Sequence, residues 1–111
     1  MNTVTFQGKL VKLPERRHTV DNKVLASFSI AVPKKFPKDN QTADFFDCVA
    51  WGKPAENILK FFKQGDTILI KGRIENDNYT NREGQLVKGQ LVIVEEWYFG
   101  PKKREDNQYG G

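Results

Sequence analysis

Apolar and polar residues alternate strictly along several short segments of this chain, and this period of two limits what the chain can fold into. The clearest run places Val24, Ala26, Phe28, Ile30 and Val32 at every second position. Successive side chains of a β-strand point to opposite faces, so such a run forms a strand with one buried face. Similar patterns predict further strands over residues 2–13, 44–51 and 68–74 and, as one strand or a strand pair, over 86–99.

The segments between these strands are polar and rich in turn formers. Pro14 ends the first strand, and the polar residues 15–23 are predicted to form a loop. Pro33 and Pro37 bracket a lysine-rich stretch that leads into Asp-Asn-Gln at 39–41, which predicts the tip of a long hairpin. A second polar hairpin is predicted over 76–84.

One segment has helical rather than strand spacing. Its apolar positions, which follow Pro54, are Ala55, Ile58, Leu59 and Phe62. Proline suits the first turn of a helix and glycine suits the residue beyond its end, where Gly65 stands in this chain. We therefore predict one short amphipathic helix between the third and fourth strands.

This order of elements is that of an all-β protein with an oligonucleotide-binding (OB) fold, a five-stranded Greek-key β-barrel with one short α-helix between strands 3 and 4. Small barrels of other kinds share the alternation, so the pattern alone leaves them open. We expect one domain over residues 1–100 and a short flexible tail over 101–111, where apolar patterning stops.

Composition narrows the classes of function. The 111 residues are enough for one domain, and 18 Lys and Arg against 14 Asp and Glu give a net charge of +4. This bias fits a polyanionic partner, although a solvated basic surface explains it equally well. With one Cys and one His, the chain has no ligand set for structural zinc, so we expect neither a metal nor a cofactor. No apolar run approaches a membrane span, and we expect a cytoplasmic protein with no membrane contact.

Aromatic and basic residues occur together outside the apolar runs. Binding a single strand without reading its sequence requires rings on which bases stack and cations that follow the phosphates. The candidate stacking residues are Phe36, Phe45, Trp51 and Tyr79. The candidate phosphate ligands are Lys34, Lys35, Lys38, Lys53, Lys71 and Arg73. The alternative for Phe45 and Trp51 is a place in the barrel core, and the alternative for each cation is a solvated surface charge.

Two motifs carry a resemblance to a known family. The chain begins Asn-Thr-Val-Thr-Phe-Gln-Gly-Lys-Leu at 2–10 and has Val-Ala-Trp-Gly-Lys-Pro-Ala-Glu at 49–56. Shorter matches follow in order at 63–66, 70–74 and 79–84. Over about residues 1–100 the chain resembles the bacterial and phage single-stranded-DNA-binding proteins.

The resemblance implies an OB fold, stacking of bases on the four aromatic residues, and coating of unpaired strands during DNA replication, recombination and repair. Family members pair through the first strand, which implies a homodimer or homotetramer here. Cellular members usually end in a long tail with an acidic tip that recruits replication or recombination proteins. This sequence ends Asn-Gln-Tyr-Gly-Gly at 107–111 without such a tip, so recruitment is not implied.

Other classes of function fit the residues less well. An enzyme would have to use His18 and Cys48, or a carboxylate pair such as Asp44 and Asp47, and none of these has the partners that catalysis requires. We expect no catalysis. An OB module that binds RNA, or that serves as an adaptor in replication restart, is the main alternative, because stacking tolerates either sugar.

Overall fold

The computed structural model describes residues 1–101, so the predicted tail lies outside the described residues from position 102 onward. In chain order the elements are β1 (Val4–Leu10), β2 (Glu15–His18), β3 (Val24–Lys38), β4 (Gln41–Trp51), α1 (Gly52–Phe61), β5 (Thr67–Asn76), β6 (Tyr79–Thr80), β7 (Leu86–Val87) and β8 (Gln90–Phe99).

Five of the strands close into a barrel. Around it the order is β1, β5, β8, β4 and β3, and β3 pairs back onto β1 through Leu10 and Ile30. The β4–β8 pair is parallel and the other pairs are antiparallel. The helix lies between the third and fourth barrel strands in chain order. The predicted OB fold is confirmed.

The barrel interior is apolar: among residues 1–101, no buried residue is polar or charged. Alternate residues of β3, including Phe28 and Ile30, point into it, as the sequence pattern predicted. Helix α1 closes the barrel by burying Ala55 and Ile58, and Phe62 follows directly after it. A fully buried Ile contributes roughly 1.5–3 kcal/mol relative to exposure, so this inward face is the main source of stability.

The prediction of a loop over residues 15–23 was wrong for its first four residues. Glu15–His18 form strand β2, which pairs with Val24–Ser27 of β3 as an antiparallel hairpin. All four β2 residues are exposed. A strand with both faces in solvent has no apolar alternation, so the sequence carried no signal for it.

The two strands of the long hairpin continue further towards its tip than predicted. β3 continues through Pro33 and Pro37 to Lys38, and β4 begins at Gln41. Proline cannot donate a ladder hydrogen bond, and the register of the β3–β4 pair shifts between Pro33 and Lys38, where the ladder is already interrupted. The turn is Asp39–Asn40, both with positive φ, as a tight hairpin turn requires.

Two glycines permit close contact between barrel strands. A Cβ on Gly8 would lie 2.8 Å from the carbonyl oxygen of Ala31. A Cβ on Gly72 would overlap the carbonyl oxygen of Ile93, at the point where the β5–β8 register shifts. These positions allow β1 and β5 to approach their neighbours closely enough for the barrel to close.

Candidate nucleic-acid interface

The outward face of β4 displays two aromatic rings. Phe45 and Trp51 lie on the same face of this strand, and their side chains are 68% and 45% exposed. The alternate residue Phe46 turns inward and stacks on Phe6, with ring centroids 4.4 Å apart. A role in the barrel core therefore does not account for Phe45 or Trp51.

A third ring lies towards the tip of the β3–β4 hairpin. Phe36 is 80% exposed, and Lys35 Nζ lies 5.8 Å from the centroid of its ring. A cation at this distance from a ring face is weakly attracted to it. One hairpin thus carries three exposed rings, at Phe36, Phe45 and Trp51.

Tyr79 lies on a separate arm. It pairs with Val87 in the two-stranded sheet of β6 and β7, and its side chain is 58% exposed. Asn81 fixes the turn at the end of this arm by accepting hydrogen bonds from the backbone N–H groups of Glu83 and Gln85. The base of the arm and β4 together line an open groove whose residues include Phe45, Asp47, Asn76, Asn78, Lys88 and Gln90.

The six predicted phosphate ligands fall into two groups. Lys34 bonds to the carboxylate of Asp44, Lys71 lies 4.0 Å from that of Glu96, and Arg73 is held by Glu75 and Glu95 at 2.8 and 2.9 Å. The hydrogen bonds to Glu75 and Glu95 raise the pKa of Arg73. Within residues 1–101, no salt bridge involves Lys35, Lys38 or Lys53.

The structure does not bring all six cations together. Lys71 and Arg73 lie on β5, whose neighbours in the barrel are β1 and β8 rather than the aromatic hairpin. Lys53 lies two residues after Trp51, the last residue of β4, and lines a groove along α1 with Arg16, Glu56 and Lys60. Arg16 and Lys60 are further cations of this groove that were not predicted from the sequence. Lys60 lies seven residues after Lys53, which places these two lysines on the same face of the helix.

The described residues hold few groups that would indicate other chemistry. Among residues 1–101, no cluster of three or more His, Cys, Asp or Glu side chains could hold a metal ion. Cys48 is buried, and its thiol donates a hydrogen bond to the carbonyl of Phe46. No helix in the described part of the chain is long and apolar enough to cross a membrane.

The fold and this surface together define a class of protein. An OB barrel that displays exposed rings and unpaired lysines on one hairpin has the form of a nucleic-acid-binding OB module. The profile of the single-strand binding protein family matches residues 1–99, and the chain belongs to that family, as the sequence motifs predicted.

Curated bacterial proteins are similar over most of the chain. Single-stranded DNA-binding protein 1 of Lactococcus lactis is 44% identical over 97 residues, which cover 86% of this chain and 65% of that protein. Single-stranded DNA-binding protein A of Bacillus subtilis is 38% identical, with 100% of this chain and 66% of that protein covered. Single-stranded DNA-binding protein 3 of Listeria innocua is 37% identical, with 100% and 69% covered. The chain thus spans about two thirds of the length of these relatives.

Proposed function

We propose that this chain binds single-stranded DNA without requiring a particular sequence and keeps it unpaired during replication, recombination and repair. The observation that carries the proposal is the pair of exposed rings, Phe45 and Trp51, on one outward strand face. Trp51 lies six positions along the strand from Phe45, which is roughly 20 Å, so several nucleotides can follow the strand from one ring to the other.

In this proposal Phe36, Phe45, Trp51 and Tyr79 stack on bases, and each stack contributes roughly 1–3 kcal/mol. Lys35, Lys38 and Lys53 neutralise phosphates most directly, because no carboxylate of the described chain is bonded to them. Lys34, Lys71 and Arg73 contribute less, since DNA has to compete with their carboxylate partners. Binding is passive: the strand is held unpaired by mass action, with no chemical turnover and no cofactor.

We further propose that two copies pair through β1. β5 pairs with one edge of this strand from Val4 to Lys9. On the other edge, the pairings within residues 1–101 are those of Lys9 and Leu10 with β3, which leaves the rest of that edge open. An open strand edge is a template for a second chain. Asn2, which precedes β1, exchanges two hydrogen bonds with the backbone of Ile74 on β5 through its side-chain amide. Sedimentation at DNA-binding concentrations should show a dimer or tetramer, and a monomer alone would contradict the pairing.

The function is tested by anisotropy titrations of a labelled thymine oligonucleotide, its duplex and an equal-length ribo-oligonucleotide. We expect tight binding of the deoxy single strand and weak binding of the duplex. Equal affinity for single strand and duplex would contradict the proposal, because stacking requires unpaired bases. Tighter binding of the ribo-oligonucleotide would favour an RNA-binding function instead. The proposed place of action is the bacterial cytoplasm, including that of a phage-infected cell.

A further inference from the structure

A carboxylate stands between the two rings of the outward β4 face. Asp47 is exposed and lies two residues after Phe45 and four before Trp51, so all three side chains share that face. A carboxylate repels phosphate, which makes it an unexpected group on a surface that binds DNA. No salt bridge within residues 1–101 involves Asp47.

Asp47 is held by a neutral group. Ser29 lies directly opposite in the β3–β4 register, and its hydroxyl donates a hydrogen bond of 2.6 Å to Asp47 Oδ1. This bond orients the carboxylate without compensating its charge, and no other side-chain hydrogen bond within residues 1–101 reaches Asp47, so Oδ2 can accept a further hydrogen bond there. Asp44, one residue before Phe45, differs because Lys34 neutralises it.

The groups around Asp47 suit contact with the edge of a DNA base better than contact with the DNA backbone. Asp47 and Phe45 line the same groove as the amide side chains of Asn76, Asn78 and Gln90. A base stacked on Phe45 would direct an edge towards these polar groups. Lys88 also lines the groove, from the base of the arm, and forms no salt bridge with Asp47, whereas Lys35, Lys38 and Lys53 lie outside the groove. The strand can therefore lie with its phosphates away from Asp47 and its bases towards it.

The chemistry of the base edge then decides which bases suit this position. Cytosine carries an amino group that donates to a carboxylate, whereas thymine has a carbonyl oxygen at the same ring position and is repelled there. We propose that Asp47 is a specificity-determining residue that favours cytosine over thymine at the Phe45 position. This inference rests on the proposed function and adds a graded base preference to it.

The test compares equal-length deoxycytidine and deoxythymidine oligonucleotides at mildly alkaline pH, where cytosine is uncharged. Within each variant, the ratio of the two dissociation constants cancels effects common to both backbones. We expect Asp47→Asn to change this ratio at least about fivefold in favour of the deoxythymidine oligonucleotide. The variant loses the charge-assisted hydrogen bond to cytosine and gains an amide that can donate to thymine. Asp44→Asn is the matched control: it also removes one negative charge beside Phe45 and should leave the ratio unchanged.

The outcomes separate the inference from the proposed function. If Asp47→Asn strengthens binding of both oligonucleotides by the same factor, the carboxylate acts through charge alone and the base preference is refuted, while single-strand binding stands. An equal shift of the ratio in Asp44→Asn also refutes it. If the unmodified protein binds neither oligonucleotide, the proposed function itself fails. Ser29→Ala should weaken the preference partly, because it removes the group that orients Asp47.

Discussion

Lys34 and Asp44 form an ion pair across the β3–β4 hairpin, with the lysine on β3 and the carboxylate on β4 directly before Phe45. The Lys34 side chain is 25% exposed, whereas the neighbouring Lys35 is exposed and points towards the ring of Phe36. Adjacent lysines of the same hairpin therefore differ in the charge that they offer to DNA.

This difference predicts unequal salt effects. Replacing Lys35 and Lys38 together by Gln should make the slope of log affinity against log salt less steep by about 1.4, at about 0.7 per phosphate contact. The double variant Lys34→Gln, Asp44→Asn removes a neutral pair and should leave the slope nearly unchanged. Titrations at several salt concentrations measure both slopes, and equal slopes for the two double variants would refute the distinction.

The exposed rings should matter for binding and not for folding. Changing Phe36, Phe45, Trp51 or Tyr79 singly to Leu should weaken binding of a thymine oligonucleotide by about 1–3 kcal/mol. The free energy of unfolding should change by no more than about 0.5 kcal/mol, because these side chains leave no cavity. Tyr98→Leu is the control, since Tyr98 is 55% exposed at the end of β8 that pairs with β5, beyond the β8 residues that pair with β4. A similar loss of affinity in that variant would show that the rings act non-specifically.

Gly72 should be essential for stability. A methyl group there would overlap the backbone of Ile93, so Gly72→Ala must displace β5 or β8. We expect a loss of about 3 kcal/mol or more of unfolding free energy, measured by urea denaturation. Glu75→Ala, at an exposed position of the same strand, should cost far less. A stable Gly72→Ala protein would mean that the β5–β8 bulge differs from that described.

Cys48 should make stability fall in alkaline solution. Burial, and secondarily the charge of Asp47, raise the pKa of Cys48 to about 12 from an ordinary value of 9.0. Below the lower value the thiol is protonated in both states and has no effect. As the pH rises above it, the unfolded chain loses the proton first, so unfolding free energy should fall by about 1.4 kcal/mol per pH unit until the folded thiol also titrates. Cys48→Ala should lack this component, and identical pH dependence in both proteins would contradict the burial of the thiol.

Periodicity predicted the barrel strands and the helix because each buries one apolar face. Phe28 and Ile30 repeat with the period of a strand, and Ala55 and Ile58 with that of a helix. The strand Glu15–His18 was missed because it buries no face. Helix α1 begins at Gly52, two residues before Pro54, because the positive φ of this glycine lets the chain turn directly from β4 into the helix.

The sequence predicted which types of residue form the candidate site, but it did not predict which side chains these residues contact. Exposed rings such as Phe36 stand out in a polar segment of the sequence. The partners of Lys34 and Arg73 depend on which strands lie side by side, and Ser29 meets Asp47 through a hairpin register that the sequence does not fix. The parallel β4–β8 pair, which brings the Tyr79 arm beside Phe45, joins strands separated by the helix and β5. Such long-range pairings leave no local signal.

Tryptophan fluorescence tests stacking most directly, because the two Trp residues differ in environment. Trp51 is exposed on the outward β4 face, whereas Trp97 is half-buried and packs against Phe62 and Phe99, with ring centroids 5.4 and 5.1 Å away. The Trp97→Phe protein therefore reports from Trp51 alone, and the Trp51→Phe protein from Trp97 alone. On titration with a thymine oligonucleotide we expect strong quenching of Trp51, little change of Trp97, and no quenching of either by duplex DNA. No quenching of Trp51 by the single strand, or an equal response to duplex, would contradict base stacking at this surface.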